Sequence, residues 1–217
     1  MSTEISKPVS CPRCGEAVET RMWPGINAEV NPNLREQVLR ETLFNWTCPA
    51  CGYVAQMAYP CLYHDKGRKF MVYLIPNGES AELDGIDVDS AFPQIGYVQK
   101  RVVASLAALK EKILIFEAGL DDRAAELVKL ALASVVSQKD GQKPQEGYFS
   151  FADEEKNRIG FVFFFPGKPE PVLKTTRLDA YRRSVEIVRE LGPQQKGFAA
   201  VDAALAQELL DTYREED

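Results

Sequence analysis

Cys11-Pro12-Arg13-Cys14-Gly15 and Cys48-Pro49-Ala50-Cys51-Gly52 are two copies of one pattern, Cys-Pro-x-Cys-Gly. Two cysteines separated by two residues can turn both sulfurs towards one point. A second such pair completes a tetrahedron of soft ligands, the geometry zinc takes at a Zn–S distance of about 2.3 Å. The proline between the sulfurs fixes φ for a tight turn, and the glycine after the second sulfur supplies the positive φ that closes it. The candidate ligands are therefore Cys11, Cys14, Cys48 and Cys51, one metal per chain. Four thiolates fill zinc's coordination shell, so the ion is expected to be structural rather than catalytic. Binding at such sites is worth about 10–16 kcal/mol, against a total domain stability of about 5–15 kcal/mol. Loss of the metal is expected to unfold the N-terminal region.

Other uses of the four thiols fit less well. Disulfides do not persist in a reducing compartment. A thioredoxin-type Cys-x-x-Cys opens a helix, and Gly15 and Gly52 argue against one. Iron is the sharper rival, since soft thiolates accept it too and rubredoxin-like carriers are similar in using two such knuckles. Zinc is the expected ion and iron the alternative.

Composition frames the rest. The chain has 217 residues, 45% hydrophobic and 27% charged, ordinary values for a soluble globular protein. Residues 1–10 are polar and lack the apolar core of a signal peptide. The tightest apolar run, 161–165, is far too short to cross a bilayer. A cytoplasmic protein without a membrane partner is expected. Net charge is −6. Residues 1–80 balance eight Lys/Arg against eight Asp/Glu, and residues 81–217 carry 18 against 24. Neither part is the basic surface that non-specific nucleic-acid binding requires.

The 33 residues between the knuckles exceed the roughly 15–20 of a minimal four-cysteine ribbon, so something is inserted. Residues 16–22 and 26–30 look extended, interrupted at Trp23-Pro24-Gly25. Asn31-Pro32 is a helix-start signal, and Leu34, Val38, Leu39 and Leu43 recur at helical spacing. The insertion is therefore a helix over about 33–43. Residues 44–47, 53–59 and 69–75 read as strands, with a turn at 63–67, and together form a small antiparallel sheet carrying the metal.

Asn-Pro-x-Leu-Arg follows the first knuckle at 31–35. Tyr-Pro-Cys-Leu-Tyr-His-Asp (59–65) and Met-Val-Tyr-Leu-Ile-Pro (71–76) follow the second, and Ile-Phe-Glu-Ala-Gly-Leu-Asp-Asp-Arg stands at 115–123. With the two CPxCG motifs, these resemble the CpXC family of bacteria and archaea over about residues 8–130. The resemblance implies the metal site, with Cys11, Cys14, Cys48 and Cys51 matching its four cysteines, and the architecture. It implies no activity.

Residues 77–93 are acidic and turn-rich, a candidate linker between a zinc-ribbon domain (8–76) and a second part (94–217). Val98, Val102, Leu106, Leu109, Ile113 and Phe116 predict one amphipathic helix over 94–118, with Gly119 as C-cap. Asp121 and Asp122 suit the start of a second helix, and the pair should form a helical hairpin. Residues 148–151 and 159–165 predict a β-hairpin, its second strand apolar on both faces and so buried on both. If one face proves open, it is a partner surface. Leu178, Tyr181, Val185 and Val188 predict a helix stopped by Gly192-Pro193, and 198–213 a last one, with a frayed tail at 214–217.

His64, the only histidine, stands beside Asp65 and three residues from Cys61. A polar turn residue and a small buried hydrophobe are the expected roles, rather than acid–base or thiol catalysis. Glu117, Asp121, Asp122 and Arg123 are expected to cap and pair. No catalytic constellation, Walker loop, GxGxxG or HExxH is present. The sequence therefore predicts an α+β protein: a zinc ribbon with a sheet and an inserted helix, then a mainly helical module with a β-hairpin. Its expected role is non-enzymatic, a structural zinc holding a surface for another protein. A ribonucleoprotein-associated ribbon and a rubredoxin-like carrier are the alternatives, and a homo-oligomer is compatible with either part.

Overall fold

The computed structural model describes residues 1–76, 88–191 and 197–216. The chain forms two compact units, Met1–Lys110 and Glu111–Asp217. Both mix helices and strands, as the α+β reading expects.

In the first unit, strands β1 (Thr3–Ser10), β2 (Ala17–Asn27), β5 (Cys61–Asp65), β6 (Phe70–Leu74) and β7 (Gln99–Val103) form one sheet in the order β1-β2-β5-β6-β7. The sheet is mixed rather than antiparallel: β2 runs parallel to β5 and β6 parallel to β7. A separate two-stranded hairpin, β3 (Asn45–Thr47) with β4 (Val54–Gln56), leads into and out of the second knuckle. Helix α1 (Pro32–Leu39) is the insertion, shorter at its C-terminal end than the periodicity suggests, with Leu34 and Val38 buried. The Asn31 side chain makes no cap bond; Pro32 opens the helix, where its missing N–H has no intrahelical role.

Strand β2 runs through Trp23-Pro24-Gly25, where a break was expected. The register explains how. Thr3 pairs with Gly25 and Ile5 with Met22, so β2 carries one extra residue there. Pro24 falls in this bulge, where no ladder donor is demanded of it. The turn expected at 63–67 lies further on, because Tyr63 and His64 belong to β5.

The helix expected over 94–118 is divided. Residues 93–95 form one 3-10 turn, β7 follows, and only Leu106–Glu117 is helical (α3). Val98 and Val102 matched a helical repeat, but Val102 and Val103 lie on β7, where β-branched side chains fit well. The strand is hard to see because Lys100 and Arg101 are themselves buried, 2% and 1% exposed. Lys100 Nζ is fully engaged, donating to Asp89 (2.6 Å), Ile95 O (2.7 Å) and Val98 O (2.9 Å). Of the expected linker, residues 77–87 lie outside the described residues, and a short helix α2 (Val88–Ala91) ends it.

Helix α3 closes on Gly119 in a Schellman motif. Gly119 has φ 70°, its N–H donates to Phe116 O, and Leu120 N–H donates to Ile115 O. Asp121 then caps α4 (Asp122–Asp140), accepting from Arg123 N at 2.9 Å.

In the second unit, β8 (Glu146–Asp153), β9 (Arg158–Phe164) and β10 (Val172–Arg177) form an antiparallel sheet in the order β10-β9-β8. The third strand is absent from the sequence reading. It is an edge strand of alternating exposure, mostly polar, without the apolar density of β9. Phe161 and Phe163 are buried, whereas Phe164 is 41% exposed, so β9 is not buried on both faces. Helices α5 (Leu178–Glu190) and α6 (Ala203–Glu216) complete the unit. Helix α6 starts later than expected, at an Asp202 cap that accepts from Ala204 N and Leu205 N. Residues 214–216 belong to it rather than to a frayed tail. The Gly192-Pro193 stop lies outside the described residues.

Candidate metal centre

Each knuckle closes on itself through the same two backbone bonds. In the first, Cys11 N–H donates to Glu16 O (2.8 Å) and Gly15 N–H to Cys11 O (2.9 Å). In the second, Cys48 N–H donates to Tyr53 O (2.8 Å) and Gly52 N–H to Cys48 O (2.9 Å). Gly15 and Gly52 take φ of 75° and 70°, the left-handed turn that a side chain would resist. Two equivalent turns thus face each other, each carrying two sulfurs.

The four Sγ atoms lie within 4.8 Å of one another. Cys11 and Cys51 are 3.6 Å apart and Cys14 and Cys48 3.8 Å. The edge of a tetrahedron with metal–sulfur bonds of about 2.3 Å is about 3.8 Å, whereas a disulfide brings its sulfurs to about 2.0 Å. These are free thiols spaced for coordination.

The centre is anchored on one side and open on the other. Cys11 and Cys48 are buried with Trp46, and Val9, Val18, Tyr53, Ala55 and Met57 pack around them. Trp46 Nε1 donates to Thr20 Oγ1 (3.0 Å), tying the β3–β4 hairpin to β2. Cys14 is exposed. Burial pushes the Cys11 thiol up, but backbone N–H groups of Cys14 and Arg13 outweigh it and bring Cys11 to about 7. Cys51 accepts from the Tyr53 backbone, yet burial and the crowding of Cys14, Cys11 and Cys48 push it to about 12. Four adjacent sulfurs give up their protons unequally, because each new thiolate repels the next. A divalent cation at their centre would remove that repulsion and displace the protons.

The remaining candidates separate. Cys61 is fully buried and its S–H donates to Trp23 O at 3.0 Å; burial pushes its thiol to about 12. His64 lies three residues along β5, on the opposite face, half-buried and shifted down by burial against the opposing pull of Asp65 and Glu29. Asp65 spends its carboxylate on Arg68, accepting from the backbone N–H and the guanidinium, both at 2.9 Å. Asp121 pairs with Arg123 at 3.0 Å, as expected of a cap and its neighbour.

The sequence reading missed a buried charge cluster on α3 and α4. Lys112 pairs with Asp122 (3.3 Å) and Glu126 (3.2 Å), and Lys129 with Glu111 (2.8 Å) and Glu126 (2.9 Å). Glu111 Oε1 also accepts from Phe149 N at 2.6 Å, fixing β8 to α3. Its one sequence signal is the pairing of acids and lysines at helical spacing, Glu126 to Lys129 among them, which reads as a solvated face.

A pair of Cys-Pro-x-Cys-Gly turns presenting four thiols to one point defines a ribbon-type cysteine centre placed to hold a metal ion. The CpXC protein family matches residues 9–129, and the chain belongs to that family. No curated protein and no solved structure matches it.

Proposed function

We propose that the protein is a non-enzymatic zinc-binding protein whose four-cysteine centre stiffens a recognition surface for another protein. The observation carrying this reading is the packing of four cysteine sulfurs within 4.8 Å of one another on two matched turns. Four thiolates leave a zinc ion no vacant position for water or substrate. Zinc is favoured over iron because four-cysteine ribbons are its usual site, and a reducing compartment, the cytoplasm, would keep the thiols available. Among the described residues no helix is long and apolar enough to cross a membrane.

The surface in question is the β3–β4 hairpin, where Val54 is 65% exposed beside the second knuckle. A protein partner suits it better than nucleic acid, since residues 1–80 carry no excess of basic side chains. The test is capture with the zinc-loaded chain and with Val54→Asp, followed by rebinding of the purified partner. A defined partner that rebinds wild type and is lost with Val54→Asp, at unchanged zinc content, is the expected result. Turnover by the purified protein, or equal binding by Val54→Asp, would overturn the reading.

A further inference from the structure

The β8–β10 sheet has one covered face and one open face. Helix α4 packs on β8, and α5 on β9 and β10, while Ile159, Phe161 and Phe163 point inward and are buried. Side chains alternate along a strand, so Arg158, Val162 and Phe164 point outward. The register sets Tyr148 of β8 and Leu173 of β10 beside Val162. Phe164 is 41% exposed and Leu173 52%. A bulge extends this apolar face. Phe149 pairs with Phe161 but Phe151 with Gly160, so Ser150 is an extra residue and Phe151 turns outward. Its ring lies over Gly160, where an added Cβ would meet it at 2.5 Å. Tyr148 stands edge-on to Phe164, their ring centres 6.1 Å apart.

Charged side chains bracket the apolar rows. Asp153, Arg158 and Arg177 form the row at one end. Asp153 is engaged by Lys156 (3.4 Å) and Arg177 by Asp179 (3.0 Å). Arg158 adds to the field at Asp153 but closes no ion pair among the described residues, and it stands opposite a like charge, Arg177. At the other end Glu146 pairs with Phe164 in the register and accepts from Tyr148 O–H at 3.1 Å. The face thus carries a cation at one end, and an exposed ring beside a carboxylate at the other.

We propose that two copies of the chain associate through this face, open sheet on open sheet, about a twofold axis across the strands at the level of Phe161. Such an interface must be complementary to itself. An axis along the strands would lay Arg158 on Arg158 of the other copy. The axis across them exchanges the ends, because Phe161 is midway between Arg158 and Phe164. Arg158 of each copy then lies over the Phe164 ring of the other, a cation on a π face. It also comes within side-chain reach of the other copy's Glu146, since packed sheets lie about 10 Å apart. One face supplies both halves of the contact, which selects a second copy over an unlike partner. Three strands and the length of β9 make a face of about 14 by 23 Å. That is small beside the roughly 800 Å² per partner of a standard interface, so the dimer is expected to be weak, forming at about 10–100 μM chain.

Sedimentation equilibrium of the full, zinc-loaded chain from about 5 to 500 μM tests this, with a reversible monomer–dimer equilibrium expected. Arg158→Glu and Glu146→Arg each set like charges face to face at two symmetric places, and each should raise the dissociation constant about tenfold or more. Mixed in equal amounts, the two variants should recover most of the association, because unlike charges then meet at both places. Phe164→Ala should weaken the dimer as well, whereas Val54→Asp, in the first unit, should leave it unchanged. These are surface substitutions, and circular dichroism checks that each variant is folded. A chain that stays monomeric up to about 500 μM would overturn the proposal and leave the face to an unlike protein. So would a dimer that the single charge variants leave unchanged, or a mixture that associates no more tightly than its parts.

Discussion

At the scale of single residues, the cysteines sort by what surrounds them. Cys61 has a buried thiol pushed to about 12, with its proton donated to a backbone carbonyl. It should resist thiol reagents at pH 8 until the protein is unfolded, and Cys61→Ala should cost about 1–2 kcal/mol in denaturant titrations through the lost packing and hydrogen bond. Rapid modification of Cys61 in the folded protein would contradict this. The four knuckle cysteines were legible from the sequence because their geometry is local. Two residues of spacing and one glycine fix each turn, and the repeat of the pattern brings the turns together. Cys61 and His64 were legible only as unremarkable residues, and β5 gives the reason they cannot cooperate directly: three residues apart on a strand, they face opposite ways.

At the scale of elements, burial of charge decides what the sequence conceals. Strand β7 was hidden because Lys100 and Arg101, polar in any pattern, lie inside. Lys100→Ala should cost about 3–5 kcal/mol by removing a buried ammonium that donates to Asp89 and to the Ile95 and Val98 carbonyls, whereas a solvated lysine would cost almost nothing; chemical denaturation distinguishes them. Strand β10 was hidden for the opposite reason, as a polar edge whose pairing comes from β9. Helices α1 and α5 were legible because their apolar spacing is the spacing of their buried faces. The α3–α4 cluster gives a pH signature. Burial, opposed by Lys112 and Lys129, raises Glu126 above the usual carboxylate range. The native state then binds the proton more tightly than the unfolded chain, whose glutamate titrates near about 4.3. This contribution to stability is complete below that value and is lost as pH rises through the raised native one. Glu126→Gln lacks the dependence, so its stability relative to wild type should increase with pH across that window. A constant difference between the two denaturation profiles would show that Glu126 is not shifted.

At the scale of the whole molecule, the four-cysteine centre and the β8–β10 sheet belong to different compact units. The centre lies in the first unit, with its sulfurs packed on Trp46 and the β3–β4 hairpin. Chelation should therefore abolish hydrogen-exchange protection around the knuckles while leaving the β8–β10 sheet protected. Simultaneous loss throughout both units would argue for a single cooperative block. Elemental analysis of untagged wild type beside Cys48→Ser decides whether the four cysteines hold one structural zinc. One zinc per wild-type chain is expected, with zinc and the fold of the first unit both reduced or lost in the variant. Iron in place of zinc would move the protein to electron transfer, and a wild-type chain without metal, or a Cys48→Ser chain that keeps its full zinc, would contradict a structural four-cysteine zinc site.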